Sequence, residues 1–430
     1  MEVGLALIVR RELKTVPKLM FAFVLVALMI SAAYAPSVPP TLLWSDPTGA
    51  IDIALSANGQ YVAAIVTDQV RFYGRSSSTP IWTESIQDFL QTVVISADGN
   101  SVAASGIGVV YFWANARSLT GSTNPATWTS ASLGGPISRK CLAISGDGNY
   151  VLAGGTGPNV FYWAGAKTKS GANTPTTWRT DIGGRVEAVD ISSDGNYVAV
   201  AYNSGVGVNS VAYWKGATTL SGNNQAYAWH SAEPTGVVNS VVVSDDGNYV
   251  AAASYNGAVL YWANAKTLSD NPLSTWSSAV NYFEDLAMSS DGNSVIAGAV
   301  SPNMGVYFWG GATGRTGASQ SPSWTHVTAG EVLRVVIDSA GDYMAALNDI
   351  LGPPRVYFFD SVGNLKWTFD PDDSGFGLSI SGDGGTLAVG TQPPITSYLF
   401  ETGFSTVIPP IRAIPDGYRD CPRATLSDSN

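Results

Sequence analysis

Two histidines, His230 and His326, and two cysteines, Cys141 and Cys421, are all that this sequence offers for base-assisted nucleophilic catalysis or for soft-metal ligation. The cysteines are 280 positions apart, which is neither a disulfide framework nor a metal knuckle. Cys141 lies in an apolar stretch that reads as core, and Cys421 in a Pro-rich tail. Carboxylates are plentiful. Many sit in a short motif of the form apolar, Ser, any residue, Asp, Gly, Asn. Calcium chelation by a loop of the EF-hand type needs carboxylates at alternate positions over about 12 residues and a closing Glu. The present loop is too short and returns directly into an apolar run, so it reads as a hairpin turn. Four or five positions before the Ser of each motif stand Asp52, Gln91, Lys140, Glu187, Asn239, Glu284, Asp285 and Arg334. That mixed-charge set is the sharpest candidate for binding a polar ligand, or for acid–base chemistry with paired carboxylates.

Whether such residues meet depends on the elements that carry them. The glycines of the motif are Gly59, Gly99, Gly148, Gly195, Gly247, Gly292, Gly341 and Gly384, spaced by 40, 49, 47, 52, 45, 49 and 43 residues. Eight copies of a unit this long indicate a ring of four-stranded blades. In the second copy, 93–96 reads as the first strand, Asp98 and Gly99 as a two-residue turn, and stretches beginning at Ser101, Val109 and Ala126 as the second, third and fourth strands.

The tryptophans give an independent count. Of 13, eight fall in the fourth-strand position (Trp44, Trp82, Trp128, Trp178, Trp229, Trp276, Trp324, Trp367) and five at the end of the third (Trp113, Trp163, Trp214, Trp262, Trp309). Tyr73, Phe359 and Phe400 take the latter place in the other copies. Trp44 precedes the first copy, while the last copy stops at its third strand. Residues 41–46 are therefore expected to pair with 397–400 as the outer strand of the last blade, closing the ring and removing an open sheet edge. The fold class expected is all-β: an eight-bladed β-propeller of four-stranded antiparallel blades over 41–404, with an N-terminal strand closing the last blade and an irregular tail over 405–430.

The stretch from Val356 to Gly390 holds Phe358, Phe359, Asp360, then Gly363, Asn364, Leu365, Lys366, Trp367, then Ile380, Ser381, Gly382, Asp383, Gly384. It resembles the repeats of quinoprotein-like and WD-repeat-like β-propellers. The resemblance implies the fold and leaves the activity open, since such propellers include dehydrogenases, scaffolds and surface proteins. The quinoprotein dehydrogenases carry a vicinal cysteine pair stacked on the quinone, with Glu and Asn calcium ligands and a catalytic Asp. The sequence has no adjacent cysteines and no haem-attachment motif, so no cofactor is expected.

Placed on a propeller, the residues preceding each inner strand converge on the axis. Lys140, Glu187, Asn239, Asp285 and Arg334 thus become a candidate axial ligand-binding ring. The histidines fall on outer strands, far from it. Copies two to six share long polar connections between third and fourth strands, as in 114–126 and 164–176, absent from copies one, seven and eight. They form an asymmetric belt that reads either as solvated loop or as a glycan- or protein-binding rim.

Charged residues are only 13% of the chain and the net charge is −11. The first 35 residues hold four basic and two acidic side chains, so the remainder carries 18 against 31. An acidic surface poor in Lys disfavours nucleic acid. Arg10, Arg11, Lys14 and Lys18 precede an apolar run from Leu19 to Ala35 that ends in small residues. This reads as a signal peptide or a retained N-terminal membrane anchor over 1–35, the only membrane contact expected. The expected function is a non-enzymatic extracellular or cell-surface module with a protein or glycan partner. The alternatives are an extracellular hydrolase or lyase using axial carboxylates and, last, the quinone-dependent dehydrogenase that the resemblance implies. Close carboxylates with raised pKa in the central pocket would mark the first of these.

Overall fold

The computed structural model describes residues 39–406, apart from 138, 205–208, 235, 256, 280–281, 350–351, 373–374 and 393–395. The expected leader and Cys421 lie outside the described residues. The chain forms eight antiparallel meanders, each running from an innermost to an outer strand. Blades 1 to 7 begin at Asp52, Thr92, Leu142, Arg185, Val238, Phe283 and Val332. Blade 8 takes three strands from 375–401 and its outer strand from Thr41–Asp46, which pairs antiparallel with Ser397–Glu401 and sets Trp44 opposite Leu399. The predicted closure is observed.

The turn between first and second strands differs from the expected two-residue form. In blade 2 the Gly99 amide donates to the Ser96 carbonyl at 2.9 Å, and Gly99 has φ +75°. Asp98 has no positive φ. Its Oδ1 instead accepts from Ser96 Oγ (2.6 Å) and the Asn100 amide (2.9 Å), while Ser96 Oγ accepts from the Ser101 amide (2.9 Å). Asp is selected as a turn acceptor. Gly is selected by its φ and by space, because a Cβ there would lie 2.6 Å from the Tyr61 ring of the preceding blade.

The residue between Ser and Asp does something its sequence does not reveal. Amide to carbonyl, Ala57 bonds to Ala97, Ala97 to Gly146, Gly146 to Ser193, Ser193 to Asp245, Asp245 to Ser290, Ser290 to Ser339, Ser339 to Gly382, and Gly382 back to Ala57, at 2.8–3.2 Å. This eight-membered backbone ring encircles the axis at the turn face and fixes the blade number.

Outer edges are treated in two ways. Each long connection of blades 2 to 6 makes one 3-10 turn, the first being Ala116–Ser118, and then lays a short extended segment parallel against the preceding blade's tryptophan strand. The register pairs Trp82 with Gly121, Trp128 with Gly171, Trp178 with Gly222, Trp229 with Asp270 and Trp276 with Gly317. The belt is thus a set of inter-blade latches that cap five outer strands. The latches on blades 2 and 3 extend those sheets to five strands instead of the four expected.

Candidate functional site

An innermost strand turns one edge to the channel, where its amides have no strand partner and need another acceptor. In five blades such an acceptor comes from the preceding blade. Asp52 Oδ2 accepts from the Val93 amide (2.8 Å) and Thr92 Oγ1 (2.7 Å). Asp285 Oδ2 accepts from the Val335 amide (3.1 Å), and Asp190 Oδ2 from the Val243 amide (2.7 Å). At the seam, Ser379 Oγ accepts from the Leu55 amide (3.0 Å). Blade 3 has Cys141 where blades 1 and 6 have Asp, and the Lys140 carbonyl serves the Val189 amide instead (2.8 Å). Cys141 itself is buried in the core, as expected.

The Lys140 side chain crosses the mouth. Its Nζ reaches blade 6, three blades away, lying 3.1 Å from Asp285 Oδ1 and 3.6 Å from Glu284 Oε1 and donating to the Glu284 carbonyl at 2.5 Å. Asn239 Nδ2 donates to Glu284 Oε2 at 3.0 Å. Arg139 projects the other way, its guanidinium 4.5 Å over the Phe376 ring of blade 8. Burial, aided by the Arg334 charge, pulls Arg139 below the usual guanidinium range, with Asp52 opposing.

Of the five residues expected to form an axial ring, Lys140, Asn239 and Asp285 are brought into one network. Arg334 stands beside it, donating to the Leu333 carbonyl (2.8 Å) and contributing its charge to buried Asp52. Glu187 pairs along its own strand with Arg185 at 3.3 Å, and burial raises its pKa against the Arg185 charge. Much of the mixed charge is neutralised internally, so the fold itself supplies the pairing that a polar ligand was expected to provide.

At the turn face, Leu55, Ile95, Ile144, Ile191, Met288, Ile337 and Ile380 line an axial cavity of about 300 Å3 beneath the backbone ring. Val243 holds the remaining blade's place. Asp190 and Asp245 line this end of the channel too. Burial pushes Asp190 up to about 7 against the Val243 and Ile191 amides, and the Asp245 charge adds to the rise. Burial also raises Asp245. Sequence reasoning missed this pair. The signal was present, since Asp190 is a lone carboxylate inside the apolar run Ala188–Ile191. With Asp338, which lines the same cavity and is also raised by burial, three raised carboxylates stand at this end of the channel, as the hydrolase alternative calls for. Yet Asp338 is engaged by the Asp342 amide (2.8 Å) and Thr406 Oγ1 (2.9 Å). Both Asp190 oxygens accept backbone amides, Oδ1 from Ile191 at 2.9 Å. The surrounding lining is mainly aliphatic or small. Asp190 ties blade 4 to blade 5, and its chemistry is accounted for by that role.

His230 and His326 lie on outer strands, as expected. His326 packs edge-on against Phe359 at 5.0 Å, and burial lowers its pKa.

The sequence matches no protein-family model and no curated protein. Solved structures do match by shape. The C-terminal WD40 domain of Sif2 superposes with a TM-score of 0.64 at 12% identity, over 84% of this chain and 98% of that one. The fold is that of a WD40-like β-propeller. Sqt1 of Chaetomium thermophilum, solved bound to the N-terminus of the ribosomal protein L10, gives 0.63 at 15% identity, over 85% and 99%. These likenesses support the WD-repeat side of the resemblance and do not bear on the quinoprotein side. Within this fold the chain carries the Lys140 crossing and latches on five of its eight outer edges.

Proposed function

We propose that this protein is a non-enzymatic interaction module that binds a protein partner on the face where its inner strands begin. The observation that carries the reading is the occupied mouth. Lys140 spans it to Asp285, so its charges are paired within the fold. Exposed aromatic and aliphatic side chains surround it. Phe89 is 66% exposed and Ile107 56%, and Tyr255 stacks on Tyr282 at 5.4 Å with both exposed. All four sit in connections on that face. Aromatic residues and Arg near a neutralised polar centre are the composition of protein interfaces. The Sqt1 structure, a fold neighbour holding a protein segment, is in keeping with this.

We further propose that the module works outside the cytoplasmic membrane, as the basic–apolar leader and the acidic body suggest. Protease added to intact cells should then digest the domain, or the domain should be found in the medium. Recovery only from the cytosol would overturn the location.

The test of function compares wild type with the variant F89S/I107S/Y255S/Y282S in capture of secreted and surface proteins, alongside a glycan array. Specific protein capture lost in the variant supports the reading. Capture unchanged in the variant, or glycan binding alone, refutes it.

A further inference from the structure

Seven of the eight fourth-strand tryptophans donate their indole N–H to a carbonyl of the following blade. The pairs are Trp82 to Ala116, Trp128 to Ala166, Trp178 to Ala217, Trp229 to Ala265, Trp276 to Ala312, Trp324 to Ser361 and Trp367 to Thr402, at 2.7–3.1 Å. The eighth is Trp44. Its Nε1 is buried with no partner, although the side chain is only 7% exposed and stacks on Tyr73 at 5.2 Å. A buried donor without an acceptor costs on the order of 1–3 kcal/mol.

The orphan sits where a latch is missing. The connection after the third strand of blade 1, residues 75–81, is too short to make one. Where that connection leaves the sheet, a cavity of about 530 Å3 opens between Leu43 of the closing strand, Gly74, Arg75 and Ser76 of blade 1, and Arg117 of blade 2. Leu43 corresponds to Ile81 and Ser45 to Thr83. In blade 1 those two residues hold the incoming latch, the Gly121 amide donating to the Ile81 carbonyl (3.1 Å) and the Thr83 amide to the Gly121 carbonyl (2.9 Å). The cavity is also basic. Arg75 is half-buried and pairs with Glu401 at 3.2 Å, whereas Arg117 rests 5.1 Å over the Tyr61 ring. Among the described residues no carboxylate lines the cavity, although Glu401 pairs with Arg75 beside it. In a chain of net charge −11, Arg117 leaves this cavity with an unneutralised positive charge among the described residues.

We propose that the outer edge of the closing strand, Leu43–Ser45, takes an extended segment of a partner protein by parallel strand addition, in the register of the propeller's own latches. The segment carries small residues at the position of Gly121 and a carboxylate on its N-terminal side, where it meets Arg117 and Arg75. The first element follows from five intramolecular examples of the same pairing, the second from the charge of the cavity. The inference extends the binding reading to a second surface, separate from the mouth.

The probe is a synthetic peptide with the sequence of residues 118–125 preceded by two aspartates and a fluorophore, titrated with the whole chain by anisotropy. Saturable binding in the micromolar range is expected. It should weaken at least tenfold in Arg117→Ala. It should vanish in a variant whose residues 75–81 are replaced by the blade 2 connection 115–127, which supplies a latch in cis and should also raise the Tm. Because Arg117 is exposed, its variant stays folded if the ring alone matters, and an unchanged thermal transition verifies that. Absence of binding at millimolar protein overturns the proposal. So does binding that survives the grafted latch, or concentration-dependent self-association displacing the peptide, which would make the occupant a second copy. The mouth variant F89S/I107S/Y255S/Y282S should bind the peptide normally, so failure here and failure of the mouth reading are separable.

Discussion

The arc of blades 2 to 6 and the seam between blades 8 and 1 solve the same problem with different chemistry. Along the arc, each outer tryptophan is held by an indole hydrogen bond and each preceding outer strand is covered by a latch. At the seam neither is found among the described residues, and a polar network is present. Asp46 accepts from Tyr73 Oη (2.7 Å) and Thr48 Oγ1 (2.6 Å) and lies 3.4 Å from Arg71. Arg75 pairs with Glu401 and bonds to Thr386. Although burial opposes it, the bonds from Thr48 and Tyr73 and the Arg71 charge hold Asp46 below the usual carboxylate range. The seam, where blade 8 meets blade 1, thus adds directional polar contacts to the stacking of Trp44 on Tyr73, while the arc adds indole hydrogen bonds and latches to its aromatic packing.

The largest effect should come from cutting the seam. Deleting residues 36–47 removes the closing strand and Trp44 and bares a sheet edge. It should cost about 4 kcal/mol or more, with aggregation on heating. An unchanged melting curve would show that the arc holds the ring alone.

The pH response should separate the two regions next. Asp190 in the arc has a folded pKa raised to about 7 from an ordinary value near 3.8. Its contribution is fully present below about pH 4 and is lost as pH rises towards 7, on the order of 4 kcal/mol at about 1.4 kcal/mol per pH unit. Asp46 at the seam is shifted down, so its contribution is present at neutral pH and is lost as pH falls below about 4. Ser379, which bridges the seam at the position of Asp190, does not titrate. Asp190→Asn should therefore flatten the decline of Tm between pH 5 and 8, whereas Ser379→Ala should shift the whole curve without changing its slope. Parallel curves for wild type and Asp190→Asn would refute the assignment.

Smaller effects should follow from replacing tryptophan by phenylalanine at matched positions. Trp178→Phe strips the Ala217 carbonyl of its donor and should cost about 1–2 kcal/mol beyond the change in volume. Trp44→Phe removes no hydrogen bond and should cost less, measured by denaturant midpoint. Equal costs would mean that the indole bond contributes nothing to the arc.

The smallest effect is expected at the mouth. Glu187→Ala removes only a pair with half-exposed Arg185 and should change stability by less than about 1 kcal/mol. Lys140→Ala should cost more, since it leaves Asp285 and Glu284 facing each other unneutralised.

The blade count, the strand order and the closing strand were legible in the sequence, because a propeller repeats its turn and its tryptophans at every blade. Position in the repeat fixed that Trp44 belongs to the last blade before any contact was known. Position also brought Lys140, Asn239 and Asp285 towards one axis. It did not say that Lys140 would bond across the channel. That is a relation between blades that no single repeat contains. The eight-membered backbone ring was invisible because amides and carbonyls carry no side-chain signature. The latches looked like ordinary polar loops because their partners lie in the preceding blade. The sequence determined by itself what recurs within each unit, since local turn chemistry and aromatic spacing act over a few residues. Only the tertiary structure decided how unlike units meet around the ring, since pairing, burial and charge neutralisation there depend on distances between residues far apart in the chain.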